Sequence, residues 1–150
     1  MAKKERIPSE TERVIALVRE RMKKNSATQM LGFEIEHIAD GSARFAMEVK
    51  GKHRQFQGVV HGGILAALAD TTAAIAAYSA VPRGTEIATV ELKINYLEPV
   101  AGGRIRAEAK VLKAGRNFVV TECEIFNPNG KLAAKALLTF GAAAGHSIQK

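Results

Sequence analysis

Residues 64–81 constrain this chain more than any other stretch. The run is apolar almost throughout, contains eight alanines and holds one charged residue, Asp70. A helix that is apolar nearly all round is buried nearly all round. A membrane span is a poor fit, because an Asp at mid-bilayer costs roughly 2.5–3.5 kcal/mol and alanine offers little to offset it. The run therefore reads as a buried helix of a soluble protein. A single sheet covers only one face of such a helix. Something else must cover the rest, and a second copy of the chain is the simple candidate. A carboxylate there is costly unless it is paired or hydrogen-bonded. Asp70 is either a buried structural acid or a functional acid with a tuned pKa, and spacing alone leaves both open.

The flanking sequence supplies what the helix packs on. Ser9 and Glu12 form a capping box that opens an N-terminal helix over residues 9–25, with Val14, Leu17, Val18 and Met22 on one face. Residues 33–38 alternate apolar and polar as a half-buried strand does. Asp40-Gly41 is a hairpin turn signal, and residues 43–49 are the answering strand. A polar loop follows over 50–57. Beyond Pro82-Arg83-Gly84 come strands at 88–97, 104–112 and 118–126. Asn127-Pro128-Asn129-Gly130 is a strong turn, and 131–140 is the return strand. Consecutive hairpins imply an antiparallel sheet with the long helix on one face, an α+β domain. With 150 residues and no repeat, linker or low-complexity tract, the chain reads as one domain over 1–150.

Composition narrows the function. Lys and Arg number 22 against 15 Asp and Glu, a net charge of +7. That surplus suggests an anionic partner: nucleic acid, a membrane surface or a phosphorylated small molecule. Residues 1–24 hold eight basic and four acidic side chains, so part of the surplus is a solvated N-terminal helix face. The strands have few aromatics for base stacking and no recognition motif, which argues against nucleic acid. The single cysteine, Cys123, cannot form an internal disulfide and follows strand periodicity as a small core residue. A reducing, cytoplasmic compartment is expected, and residues 1–6 lead into no signal-peptide core. The four histidines are scattered, so no metal site is expected. His53 reads as a solvated loop residue, His37 as a polar strand position and His146 as part of the tail. No nucleophile elbow, dinucleotide fingerprint or Walker loop is present.

The chemistry concentrates just before the long helix, at Gly58-Val59-Val60-His61-Gly62-Gly63. Paired glycines permit unusual dihedrals and close approach of backbone to a ligand. The first amides of a helix lack internal partners and carry partial positive charge, so they can stabilise an oxyanion. A tight turn that needs glycine is the plainer reading. Asp70 lies eight residues beyond Gly62, about 12 Å along a helix axis. It cannot act on a carbonyl held at its own helix N-terminus. If both belong to one site, Asp70 comes from a neighbouring subunit.

This motif, with Asp70 nine residues after His61, resembles the hotdog-fold acyl-CoA thioesterases of the phenylacetic-acid-degradation (PaaI) type. The similarity runs over 31–140 and includes the strand at 89–99. The resemblance implies a five- or six-stranded antiparallel sheet wrapped round the helix. It also implies homodimers joined edge to edge, often paired into homotetramers, with sites at the dimer interface. Asp70 matches the family's acid, acting as general base or nucleophile. The Gly62 amide matches the oxyanion donor, aided by Gly63. His61 matches the histidine that orients the thioester carbonyl or assists the leaving thiolate. Gln55 matches a position often held by Asn, where the different reach bears on a water-positioning role. Thr89 matches a Ser or Thr that holds the attacking water. No metal or organic cofactor is implied, coenzyme A entering only as part of the substrate.

A second basic cluster comprises Arg104, Arg106, Lys110, Lys113 and Arg116. Residues two apart on a strand share a face, so Arg104, Arg106 and Lys110 line one side. They are either exposed strand charges or ligands for the phosphates of coenzyme A, which suit Arg and Lys. Gly115-Arg116-Asn117 resembles the family's turn near the nucleotide end. The leading expectation is hydrolysis of medium-chain or aryl acyl-CoA. The alternative is a non-catalytic acyl-CoA binding protein.

Overall fold

The computed structural model describes residues 8–144, so His146 lies outside the described residues. Helix α1 (Glu10–Lys23) starts as the capping box requires. The Ser9 hydroxyl accepts from the Glu12 amide at 3.2 Å, and the Glu12 carboxylate accepts from the Ser9 amide at 2.7 Å. The helix ends at Lys23, close to the expected end at residue 25, and a second helix follows at once. Asn25 caps a second, short helix α2 (Ser26–Leu31), its side chain accepting from the Thr28 amide at 3.0 Å. Asn at a helix start satisfies one of the orphan amides, a signal easily read as a stop.

Strands β1 (Phe33–Ala39) and β2 (Ser42–Glu48) follow, then a 3-10 turn at Gly51–His53 and the long helix α3 (Gly62–Ser79). Strands β3 (Thr85–Tyr96), β4 (Arg104–Ala114), β5 (Phe118–Phe126) and β6 (Leu132–Ala144) complete the chain. All pair antiparallel in one six-stranded sheet of order β1-β2-β4-β5-β6-β3. This is the hotdog fold, an α+β sheet wrapped round its helix. Alternation sends Ile105, Ala107 and Ala109 of β4 inward and Arg104, Arg106 and Lys110 outward.

The helix fills the concave face. Leu68, Ala69, Ala73 and Ala76 are fully buried in one core with Phe45, Met47, Ile105 and Leu138. Each large apolar side chain so buried contributes about 1.5–3 kcal/mol. Ser79 fastens the C-terminal end of α3 to the β1–β2 turn, its hydroxyl lying 2.7 Å from the Ala39 carbonyl and accepting from the Gly41 amide at 2.9 Å. From Ile64 onward no residue of α3 is exposed. Its half-buried residues include Ala67, Asp70, Thr71, Ala74 and Tyr78, a strip at helical spacing.

Two features bear on the site. Strand β3 is an edge strand, paired with β6 on one side only. A register shift between Thr89 and Glu91 leaves Val90 as an extra residue, 60% exposed. Cys123 is buried, and burial pushes its thiol pKa up to about 12. It sits in the core and not in any reactive surface.

Candidate active site

The start of α3 is built by the loop before it. The Gln55 amide donates to the Val59 carbonyl at 2.9 Å and the Gly58 amide to the Gln55 carbonyl at 2.9 Å. Gly58 closes this turn at φ 82, in the left-handed region. Val60 donates to the Val100 carbonyl at 2.8 Å, and His61 to the His53 carbonyl at 2.8 Å. His61 then caps the helix, its Nδ1 accepting from the Gly63 amide at 2.9 Å. That contact assigns the ring proton of neutral His61 to Nε2, which points a donor outward. It also occupies the Gly63 amide. The Gly62 amide makes no hydrogen bond among the described residues.

Glycine at 62 is also a matter of space. A Cβ there would lie 3.1 Å from Tyr96 Cζ. Tyr96 packs over the helix start and its hydroxyl donates to the Gly62 carbonyl at 2.8 Å. Burial raises the Tyr96 pKa. In the sequence Tyr96 is one more alternating residue of a strand. Only the pairing of β3 against the start of α3 gives it this position.

His53 departs from the expectation of a solvated loop histidine. It is 1% exposed, and its Nδ1 accepts from the Lys50 amide at 3.0 Å. Burial holds its pKa below the ordinary value, against a partial offset from the Leu31 backbone, with Lys52 and Lys50 lowering it further. Its Nε2 makes no hydrogen bond of normal geometry. The ring folds inward because the 3-10 turn brings it under its own loop, a closure that single-residue polarity does not foretell.

Asp70 sits two turns further along α3, half-buried in the strip described above. Its Oδ1 accepts from the Thr89 hydroxyl at 2.8 Å. Thr89 stands at the irregularity of β3, which turns its side chain to the helix. Asp70 also lines a cavity of about 350 Å³ between α1, the C-terminal half of α3 and the start of β3. Within one chain the candidate residues therefore form two groups. His61, Gly62 and Tyr96 surround the helix start, with Gln55 in the loop before it donating its side-chain amide to Gln57 at 3.0 Å, while Asp70 and Thr89 lie about 12 Å along the axis.

The basic residues also divide. Arg104 donates to Glu34 at 2.8 Å and Glu36 at 3.0 Å, and these carboxylates raise its pKa, Glu34 first. Arg106 pairs with Glu108 at 2.8 Å and lies over the Phe126 ring at 5.7 Å. Lys110 pairs with Glu122 at 2.8 Å. Arg116 and Asn117 lie in the β4–β5 turn, where the Asn117 carbonyl accepts from the Ala142 amide at 2.8 Å. Arg116 makes no ion pair among the described residues. The full length of β4, roughly 33 Å at strand rise, separates Arg104 from this turn. The two halves of the cluster cannot grip one phosphate in one chain. Among the described residues no group of three or more His, Cys, Asp or Glu could hold a metal ion, and no helix is long and apolar enough to cross a membrane.

Residues 57–134 match the thioesterase superfamily. The 1,4-dihydroxy-2-naphthoyl-CoA hydrolase of Escherichia coli is 30% identical over 113 residues, 73% of this chain and 83% of that protein. Among solved structures, the PaaI protein from the phenylacetic acid degradation operon of Escherichia coli superposes with a TM-score of 0.82 at 27% identity, covering 91% of this chain and 98% of that one. A thioesterase from Haemophilus influenzae superposes with a TM-score of 0.81 at 26% identity, covering 97% of each.

Proposed function

The chain belongs to the thioesterase superfamily and is a thioester hydrolase, and from that premise we propose that it cleaves medium-chain or aryl acyl-CoA to the free acid and coenzyme A. The observation that carries the reading is the Asp70 carboxylate held by Thr89 at 2.8 Å on an otherwise apolar helix.

In this reading the Gly62 amide, free at the positive end of α3, donates to the thioester carbonyl. One such donor supplies roughly 2.7–4 kcal/mol of barrier reduction. His61, with its proton on Nε2, orients the same carbonyl or protonates the departing sulfur. Asp70 removes a proton from water as the water adds to the carbonyl carbon, the C–S bond then breaks, and the thiolate takes up a proton. Thr89 binds one carboxylate oxygen and leaves the other for the water. Attack by Asp70 itself on the carbonyl, followed by hydrolysis of the anhydride, uses the same residues. Gln55 serves the water or carbonyl from the loop. Both routes use only side chains, backbone and water.

The distance of about 12 Å between Gly62 and Asp70 supports a site shared by two subunits, with Gly62 from one and Asp70 from the other. The open edge of β3 supplies a matching surface, since an uncovered edge strand invites pairing. A homodimer follows from this reading, and its pairing into a homotetramer is what the family resemblance implies. Arg116 and Asn117 are assigned to the nucleotide end of coenzyme A, with Arg104 and Arg106 available only by exchanging their carboxylate partners.

The test is thiol release from an acyl-CoA panel by wild type and Asp70→Asn. Wild type should turn over medium-chain or aryl thioesters, and Asp70→Asn should lose nearly all activity while binding the same substrates. Equal turnover by both would remove Asp70 from the mechanism.

A further inference from the structure

The cavity beside Asp70 has a roof that lies outside the matched family region. Its floor is α3 and the start of β3, and its roof is α1. The lining is apolar in the middle, with Val14, Met22, Ala74 and Ile75. Leu17 also faces it and is 41% exposed. At one end stands Asp70. At the other, eight residues and about 12 Å further along α3, stands Tyr78. There the Glu86 carboxylate gathers three elements. It accepts from Arg21 of α1 at 3.3 Å and from the Tyr78 hydroxyl of α3 at 3.0 Å, and Glu86 itself belongs to β3.

The roof is lightly held. Val18 is the one fully buried residue of α1. Arg21 is more than half exposed, so its pair with Glu86 adds little on its own. A surface helix held by one fully buried side chain, by the partly buried Val14, Ile15 and Met22 and by one exposed ion pair opens more readily than the sheet beneath it.

We propose that α1 is a lid over an acyl chamber, latched by the Arg21–Glu86–Tyr78 contact, and that this latch sets the longest acyl chain the enzyme accepts. The proposal rests on the reading of Asp70 as the reacting acid. The occupant is the acyl chain of the thioester: its carbonyl sits at the Asp70 end and its tail runs under α1 toward Tyr78. At ~30 Å³ for each water-sized group, 350 Å³ holds about a dozen carbon-sized groups. Longer chains must push the latch apart.

The experiment uses the full chain and S-alkyl coenzyme A thioethers, which lack the carbonyl and cannot be hydrolysed. Calorimetry follows a series of about four to sixteen carbons, each buried methylene tightening binding about fourfold until the chamber is full. In wild type the gain should stop near about ten to twelve carbons. In Arg21→Ala and in Glu86→Gln it should continue, so that two further methylenes bind about fifteenfold tighter. Lys23→Ala, which breaks only the pair with Glu20 within α1, should behave as wild type. A shared length limit in wild type and both latch variants overturns the lid, as does the absence of any limit or of any binding in wild type. Thiol release from acyl-CoA is read in parallel. Length-limited binding without turnover sinks the hydrolytic reading and leaves the lid standing. Turnover with unshifted limits does the reverse.

Discussion

Helices α1 and α3 face each other across one cavity and owe their existence to opposite physics. α1 is locally encoded. It has a complete capping box, acidic residues in its first turn and basic residues in its last, each complementing the helix dipole. It buries one residue fully, Val18. α3 has no acid in its first turn and no base in its last, but buries nine residues. The first helix is specified by its own ends and is free to shift on the surface. The second is specified by what surrounds it and is fixed. A carboxylate meant to hold a water in line belongs on the fixed helix, and a roof that admits substrate belongs on the movable one.

Substitutions can break this contrast in order of size. Asp70→Asn should cost the most where function is read, about 10²–10⁴-fold in kcat for loss of a general base, with little change in melting temperature. A matching loss of stability would mean that Asp70 is structural. Leu68→Ala, at the centre of α3, should lower unfolding free energy by about 2–5 kcal/mol, measured in urea. A value below about 1 kcal/mol would show that α3 is not held by burial.

The loop that starts α3 can be tested through pH. His53 is buried with its pKa held below the ordinary value of 6.5. The unfolded chain then binds more protons as pH falls through 6.5, so this stability is present above that pH and lost below it. Urea midpoints should fall between about pH 7 and pH 5 in wild type and fall less in His53→Gln. The smallest effect is expected at the end of α1. Ser9→Ala removes a cap worth about 0.5–2 kcal/mol to that helix. Because α1 opens separately, hydrogen exchange of its amides should quicken while the global urea midpoint barely moves.

Much of this was legible because some signals are local. Ser9 and Glu12 satisfy each other within one turn, Asp40-Gly41 closes its hairpin, and alternation in 104–110 names both faces of β4 in advance. Thr89 beside Asp70 followed from a family resemblance. Other features were hidden because they depend on closure in space. Asn25 looks like the end of one helix and is the start of another. His53 is polar and sits in a loop, yet the turn folds it inward. Tyr96 looks like an ordinary strand residue, and Glu86 lies ahead of the strand expected at 88–97, until β3 is laid against α3 and α1. The basic stripe of β4 reads as open charge until Glu34, Glu36 and Glu108 are placed beside it on neighbouring positions of the sheet.

The sequence by itself determined that an alanine-rich helix with one acid must be wrapped, and that His61-Gly62-Gly63 stands at its start, where the first amides lack partners within the helix. Those follow from periodicity and from the orphan donors of any helix start. Only the tertiary structure decided which strand lies over that start and what roof covers the space beside Asp70. Those choices rest on contacts between residues far apart in the chain, where spacing along the sequence carries no information about distance.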